Sequence, residues 1–123
     1  MRYSRILEYI MLSEWNKEIE EALSSPAEWS LKEARRIAIE VCAERNVRVI
    51  FFGSRARGNN RPASDLDIAL DGKGGLLPPN LKGELSERYE MSLIPYRVDV
   101  VDLSETTQEF RDEVEKEGVE WIG

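Results

Sequence analysis

Apolar positions along this chain alternate between a helical rhythm and a two-residue rhythm. Residues 3 to 23 carry helical spacing, but the apolar direction turns between Tyr3-Leu7-Ile10 and Leu12-Trp15-Ile19-Leu23, by roughly a quarter to a third of a turn. One face cannot bury both stripes. Either the helix breaks near Ser13 and wraps on the core, or its second face meets a partner, with Trp15 the residue to test first. Ser25-Pro26-Ala27-Glu28 and Ser30-Leu31-Lys32-Glu33 are both capping boxes, the first with proline at the first helical position, so a helix opens at one of them. It runs to about Arg45 on a stripe of Leu31, Ala34, Ile37, Ala38, Val41 and Cys42, with Asn46 as its terminator.

Val47 to Phe52 is short, β-branched and aromatic, and reads as a buried strand ending at Gly53. Asp65 to Leu70 sets Leu66, Ile68 and Leu70 against acidic or small residues, a strand with one apolar and one acidic face. Asp71-Gly72-Lys73-Gly74-Gly75 and Pro78-Pro79 then punctuate a long mobile loop. Leu81, Leu85 and Tyr89 mark a helix that closes before Pro95, and Tyr96 to Leu103 forms a third strand. Thr106-Thr107-Gln108-Glu109 opens a last helix through Phe110 and Val114 to Gly118, and Val119 to Ile122 is either an edge strand or a docked extension. This order predicts an α/β (α+β) layer fold, a small mixed sheet flanked by helices. The 123 residues fit one domain, 1–123, with 1–25 as an N-terminal helical extension.

Composition narrows the chemistry. Histidine is absent, which removes Ser-His-Asp catalysis, histidine–zinc sites and imidazole acid–base work together. Cys42 is the one cysteine, expected as a buried thiol in a reducing cytoplasm, so no disulfide forms within the chain. There is no apolar run of roughly 18 residues and no signal-like segment, which points to a cytoplasmic protein. The net charge of −7 argues against holding nucleic acid unaided, because phosphate-backbone affinity needs clustered Lys and Arg. Local basic character in Arg55, Arg57 and Arg61 suits a small polyphosphate instead.

On a strand, residues i and i+2 share a face about 6.5 to 7 Å apart, so Asp65 and Asp67 present two carboxylates side by side. Like charges so placed ask for a cation between them. In Val98-Asp99-Val100-Val101 the same parity turns Asp99 to one face and excludes Asp102 from joining it. If the two strands are neighbours, Asp65, Asp67 and Asp99 form a triad whose oxygen donors suit one or two Mg²⁺ ions. Gly53-Ser54, ending a buried strand, offers backbone N–H groups and a hydroxyl to phosphate oxygens, and the arginines neutralise a triphosphate unless Arg57 braces the loop instead.

Gly53-Ser54-Arg55-Ala56-Arg57-Gly58, Ser64-Asp65-Leu66-Asp67 and Val98-Asp99-Val100-Val101 together resemble the minimal nucleotidyltransferases of the DNA polymerase β-like superfamily, over roughly residues 30 to 118. The resemblance implies the polymerase β-like nucleotidyltransferase fold. It further implies that Gly53 and Ser54 bind the nucleotide phosphates, beside which the local charge sets Arg57, that Asp65, Asp67 and Asp99 hold the metals, and that Asp99 draws the proton from the attacking hydroxyl. The ten residues between Ser54 and Asp65 also match the antitoxin of HEPN/MNT toxin–antitoxin pairs. In that family a small protein uses ATP to place AMP on a tyrosine of a HEPN toxin, which then supplies both the acceptor and the docking surface. Rival readings are an antitoxin that works by contact alone and an aminoglycoside-type enzyme, which normally carries a further domain. Adenylyl transfer to RNA fits the acidic charge poorly. Residues 1–25 fall outside the resemblance.

Overall fold

The computed structural model describes residues 17, 19–53, 56, 58 and 65–123. The expectations placed on Tyr3, Leu7, Ile10, Leu12, Ser13 and Trp15 lie outside the described residues. Residues 19–24 are helical (α1), with Leu23 exposed, and Ser25 separates them from α2, Pro26–Cys42. Of the two candidate boxes, the helix opens at the first, with Ser25 as its N-cap residue, but the Ser25 side chain makes no capping hydrogen bond. Proline at the first position gives up an N–H that would have had no helical partner, and the Trp29 N–H donates to the Ser25 carbonyl at 2.9 Å. Ser30, the head of the second box, sits fully buried inside α2. The helix ends at Cys42, short of Arg45, because Ala43 turns extended (ψ 139°) and Glu44 and Asn46 take left-handed φ values of 69° and 55°.

Four strands follow: β1 (Arg48–Phe52), β2 (Leu66–Asp71), β3 (Val98–Asp102) and β4 (Val119–Ile122), in the spatial order β3-β2-β1-β4. β1 runs antiparallel to β2 and to β4, while β2 and β3 are parallel. A parallel pair needs a long crossover, and α3 (Leu81–Glu90) lies within it. The stretch before α3 is organised into turns: the Asp71 carboxylate accepts the Lys73 N–H at 3.1 Å, Gly75 N–H donates to the Gly72 carbonyl, and Leu81 N–H to that of Pro78. After β3 a 3-10 turn, Leu103–Glu105, leads to α4 (Gln108–Glu117), whose N-cap Thr107 accepts the Phe110 N–H. The tail resolves as an edge strand, held by antiparallel pairing to β1 and by Trp121 stacked on Phe51 at 5.2 Å.

The alternation in β2 divides the molecule. Leu66, Ile68 and Leu70 turn to the large core, packing with Val49, Phe51 and Val100 against Ala34, Ile37, Leu85 and Tyr89 of α2 and α3. The Tyr89 hydroxyl donates to the Ala34 carbonyl at 2.7 Å, tying the two helices together. The opposite face carries a much smaller cluster of Ile50, Ala69, Leu103 and Val114, flanked by an edge-on contact of Phe52 with Phe110. Among the described residues, the 3-10 turn, through Leu103, and α4 cover this second face.

Candidate active site

Asp67 and Asp99 are register partners on the parallel pair β2–β3, facing the thinly covered side of the sheet. Adjacent strands lie about 4.8 Å apart, so the backbone sets these two carboxylates next to each other. Phe52 is the partner of Asp67 across β1. Asp67 is therefore half-buried between an aromatic ring and an acid, while Asp65, just ahead of β2, and Asp99 are exposed. Asp65 shares the parity of Asp67. The three side chains are nonetheless not gathered, since among the described residues no group of three Asp, Glu, Cys or His side chains stands close enough to hold a metal ion. Mutual repulsion of carboxylates opposes such a cluster, and the strands supply only the approach.

Asp102, excluded by parity, has a different task. Its carboxylate accepts the Ser104 N–H at 2.9 Å and the Ser104 hydroxyl at 2.8 Å, capping the 3-10 turn.

At the end of β1 the chain turns sharply through Gly53, with φ at +88°. A side-chain carbon built there would overlap the Asp67 carboxylate and lie 3.2 Å and 3.3 Å from its Cγ and Cβ. The Gly53 backbone is thus pressed against Asp67, a close approach that a residue without a side chain allows. The oxygen donors of Asp65, Asp67 and Asp99 fit a hard cation such as Mg²⁺. Ser54, Arg55, Arg57 and Arg61 lie outside the described residues.

Farther along the same face, Arg48 bonds its register partner Asp71 at 3.0 Å, Glu120 at 2.7 Å and Glu115. These acids, Glu115 first, push the Arg48 guanidinium pKa up, and Arg48 in turn holds the Glu115 carboxyl below its ordinary range. On the other side of Asp99, α3 and β3 border a groove of about 440 Å³ whose lining includes Lys82, Ser86, Tyr96, Arg97 and Asp99. Lys82 and Ser86 gave no signal in the sequence, because only the docking of α3 beside β3 brings them to this groove.

Residues 37–122 match the family described as Polymerase beta, Nucleotidyltransferase, a span that includes Gly53, Asp65, Asp67 and Asp99. The chain belongs to this nucleotidyltransferase family. A Haemophilus influenzae relative of this nucleotidyltransferase, described as probable protein adenylyltransferase MntA, is 35% identical over 65 residues. That match covers 53% of this chain and 56% of the relative, so the nucleotidyltransferase spans little more than half the relative's length. A solved structure described as a minimal nucleotidyltransferase is 30% identical, with a TM-score of 0.58 over 72% of this chain and 90% of that one. A toxin–antitoxin crystal structure with AMP-PNP also reaches a TM-score of 0.58, over 72% of this chain and 73% of that one. At 24% identity it shows that the fold is shared. Among the described residues, no helix is long and apolar enough to cross a membrane.

Proposed function

We propose that this nucleotidyltransferase moves AMP from ATP to a tyrosine of a HEPN-type toxin and so acts as its antitoxin. The observation that carries this is the register pair Asp67 and Asp99, with the Gly53 backbone against Asp67. Asp65, Asp67 and Asp99 would hold Mg²⁺, two ions at full occupancy, in a chain with no histidine and a buried cysteine. When bound, the metal supplies positive charge that offsets the triphosphate and the charge developing at the α-phosphorus. Gly53 and Ser54 donate to phosphate oxygens, and Arg57 balances phosphate charge. Asp99, exposed on the outermost strand, accepts the proton of the tyrosine hydroxyl. A bond forms from the tyrosine oxygen to the α-phosphorus as the bond to pyrophosphate breaks, and pyrophosphate departs.

A protein acceptor is favoured by the likeness to MntA and to the toxin–antitoxin fold, and a net charge of −7 suits a basic protein surface better than nucleic acid. Residues 1–123 act as one domain in the cytoplasm. The test mixes a HEPN-type toxin with this chain, ATP and Mg²⁺, and reads adenylylated tyrosine by mass spectrometry. Asp67→Asn should abolish the modification while still binding the toxin. Full suppression of the toxin by Asp67→Asn would instead establish an antitoxin that works by contact.

A further inference from the structure

Among the described residues β3 is the outermost strand of the sheet and no strand pairs with its outer edge, so its two edges differ. On the inner edge the Leu66 N–H donates to the Arg97 carbonyl at 2.9 Å, with Leu66 opposite Val98 in the parallel register. In that geometry the odd-numbered residues Arg97, Asp99 and Val101 direct their backbone groups to β2, and Val98 and Val100 direct theirs outward. The side chains of Val98 and Val100 pack toward α3, so the outward peptide groups open onto the groove between α3 and β3. An open strand edge is a template for another strand. This one carries no proline or lysine between Val98 and Asp102, and Asp99 stands on it.

The opposite edge of the sheet, β4, lies beyond β1 and away from Asp99. An added segment beside β3 would sit about 4.8 Å farther out, and its residue across from Asp99 would project to the same face, with Cβ atoms about 5 Å apart. The groove of about 440 Å³ falls within the roughly 300–1,000 Å³ usual for ligand sites. Lys82 and Arg97 supply cations at its border, and Ile94 and Tyr96 supply apolar surface.

We infer that the free edge of β3 docks the acceptor protein by strand addition, taking an extended segment whose hydroxyl residue lies across from Asp99. This rests on the proposed transfer to a protein hydroxyl. It assigns acceptor recognition to backbone pairing and the α3–β3 groove, not to a separate domain.

The test records amide hydrogen exchange of the full chain, alone and mixed with a HEPN-type toxin, Mg²⁺ and α,β-methylene-ATP, whose α–β bond does not break. Exchange at Val98 and Val100 should slow at least tenfold in the mixture. Val98→Pro removes one outward N–H and spares the bonds to β2, which run through Arg97 and Asp99. It should raise the acceptor KM at least tenfold, and by more than it raises the KM for ATP. Should Val98→Pro fail to fold, Ser86→Arg fills the groove from α3 without touching a strand bond and carries the same expectation. Absence of protection at Val98 and Val100, or an unchanged acceptor KM in the folded variant, overturns the docking site. Transfer of AMP without that protection leaves the proposed function standing and removes this inference. Protection without transfer does the reverse.

Discussion

Replacing Gly53 with alanine puts the close approach of β1 to Asp67 to a quantitative test. Two costs combine. At φ +88° the residue occupies a region where an L side chain loses about 1–2 kcal/mol. The new methyl would also overlap the Asp67 carboxylate, and turning that side chain about 30° off its rotamer costs about 0.5–1.5 kcal/mol. Together they predict a loss of about 1.5–3.5 kcal/mol, or about 6–14 °C in Tm at roughly 4 °C per kcal/mol for a chain of this size. Gly58→Ala is the control, because Gly58 has φ +73° with nothing among the described residues within 4 Å of an added carbon, so it should show the backbone cost alone. Asp67→Ala removes the obstructing carboxylate. In that background Gly53→Ala should cost about 0.5–1.5 kcal/mol less than in the parent. Urea and thermal unfolding of the single and double variants measure the coupling. Additivity within about 0.3 kcal/mol, or a Gly53→Ala chain as stable as Gly58→Ala, would show that Asp67 does not crowd this position.

Arg48→Met leaves Asp71, Glu115 and Glu120 facing one another, and should cost about 1–3 kcal/mol in urea unfolding, most of it from half-buried Asp71 because the exposed glutamates are screened. Glu115 has its pKa lowered from 4.5 by the hydrogen bond from Arg48, so its contribution is present above that value and drains away as pH falls through the depressed one. Arg48→Met should therefore lose less stability on acidification than the parent, and parallel pH–Tm curves would count against the assignment. Burial pushes the Cys42 thiol up to about 11, so iodoacetamide at about pH 8 should label it only as fast as the chain unfolds. Labelling that outpaces unfolding would contradict the buried position. Tyr89→Phe deletes the bond to the Ala34 carbonyl and should lower stability by about 1 kcal/mol, read as a Tm shift of about 4 °C.

The elements most legible in the sequence were those whose cause is local. Leu66, Ile68 and Leu70 alternate with acids, and that parity alone set Asp67 on the face opposite the core and separated Asp99 from Asp102. The Thr106-Thr107-Gln108-Glu109 run announced α4 because a cap is written in neighbouring residues, although the capping residue is Thr107, one position after the head of that box. What depends on distant chain was less visible. Ser25 and Ser30 head equivalent boxes, and only the packing of α2 shows that Ser30 is interior. The stop at Cys42 had no Gly or Pro to mark it, since Ala43 and Glu44 are ordinary helix formers driven out of the helix by their context. The 3-10 turn was signalled by Asp102 and Ser104, but a side chain capping its own neighbours is easily taken for a strand end. Pairing of β4 with β1 rests on register between residues about 70 apart. For the candidate site, the approach of Asp67 to Asp99 could be anticipated from parity, whereas the borders contributed by α3 could not.

The two-sided character of β2 has a consequence for how this lineage can change. Its apolar residues stabilise the fold, but Asp65 and Asp99 are exposed and contribute nothing to the main core. Folding therefore exerts no selection to keep them. A descendant could lose either acid and remain as well formed, abundant and able to meet its partners as before. Under the proposed function only the transfer chemistry would police those positions, so an inactive copy would look like an intact protein to every assay except turnover.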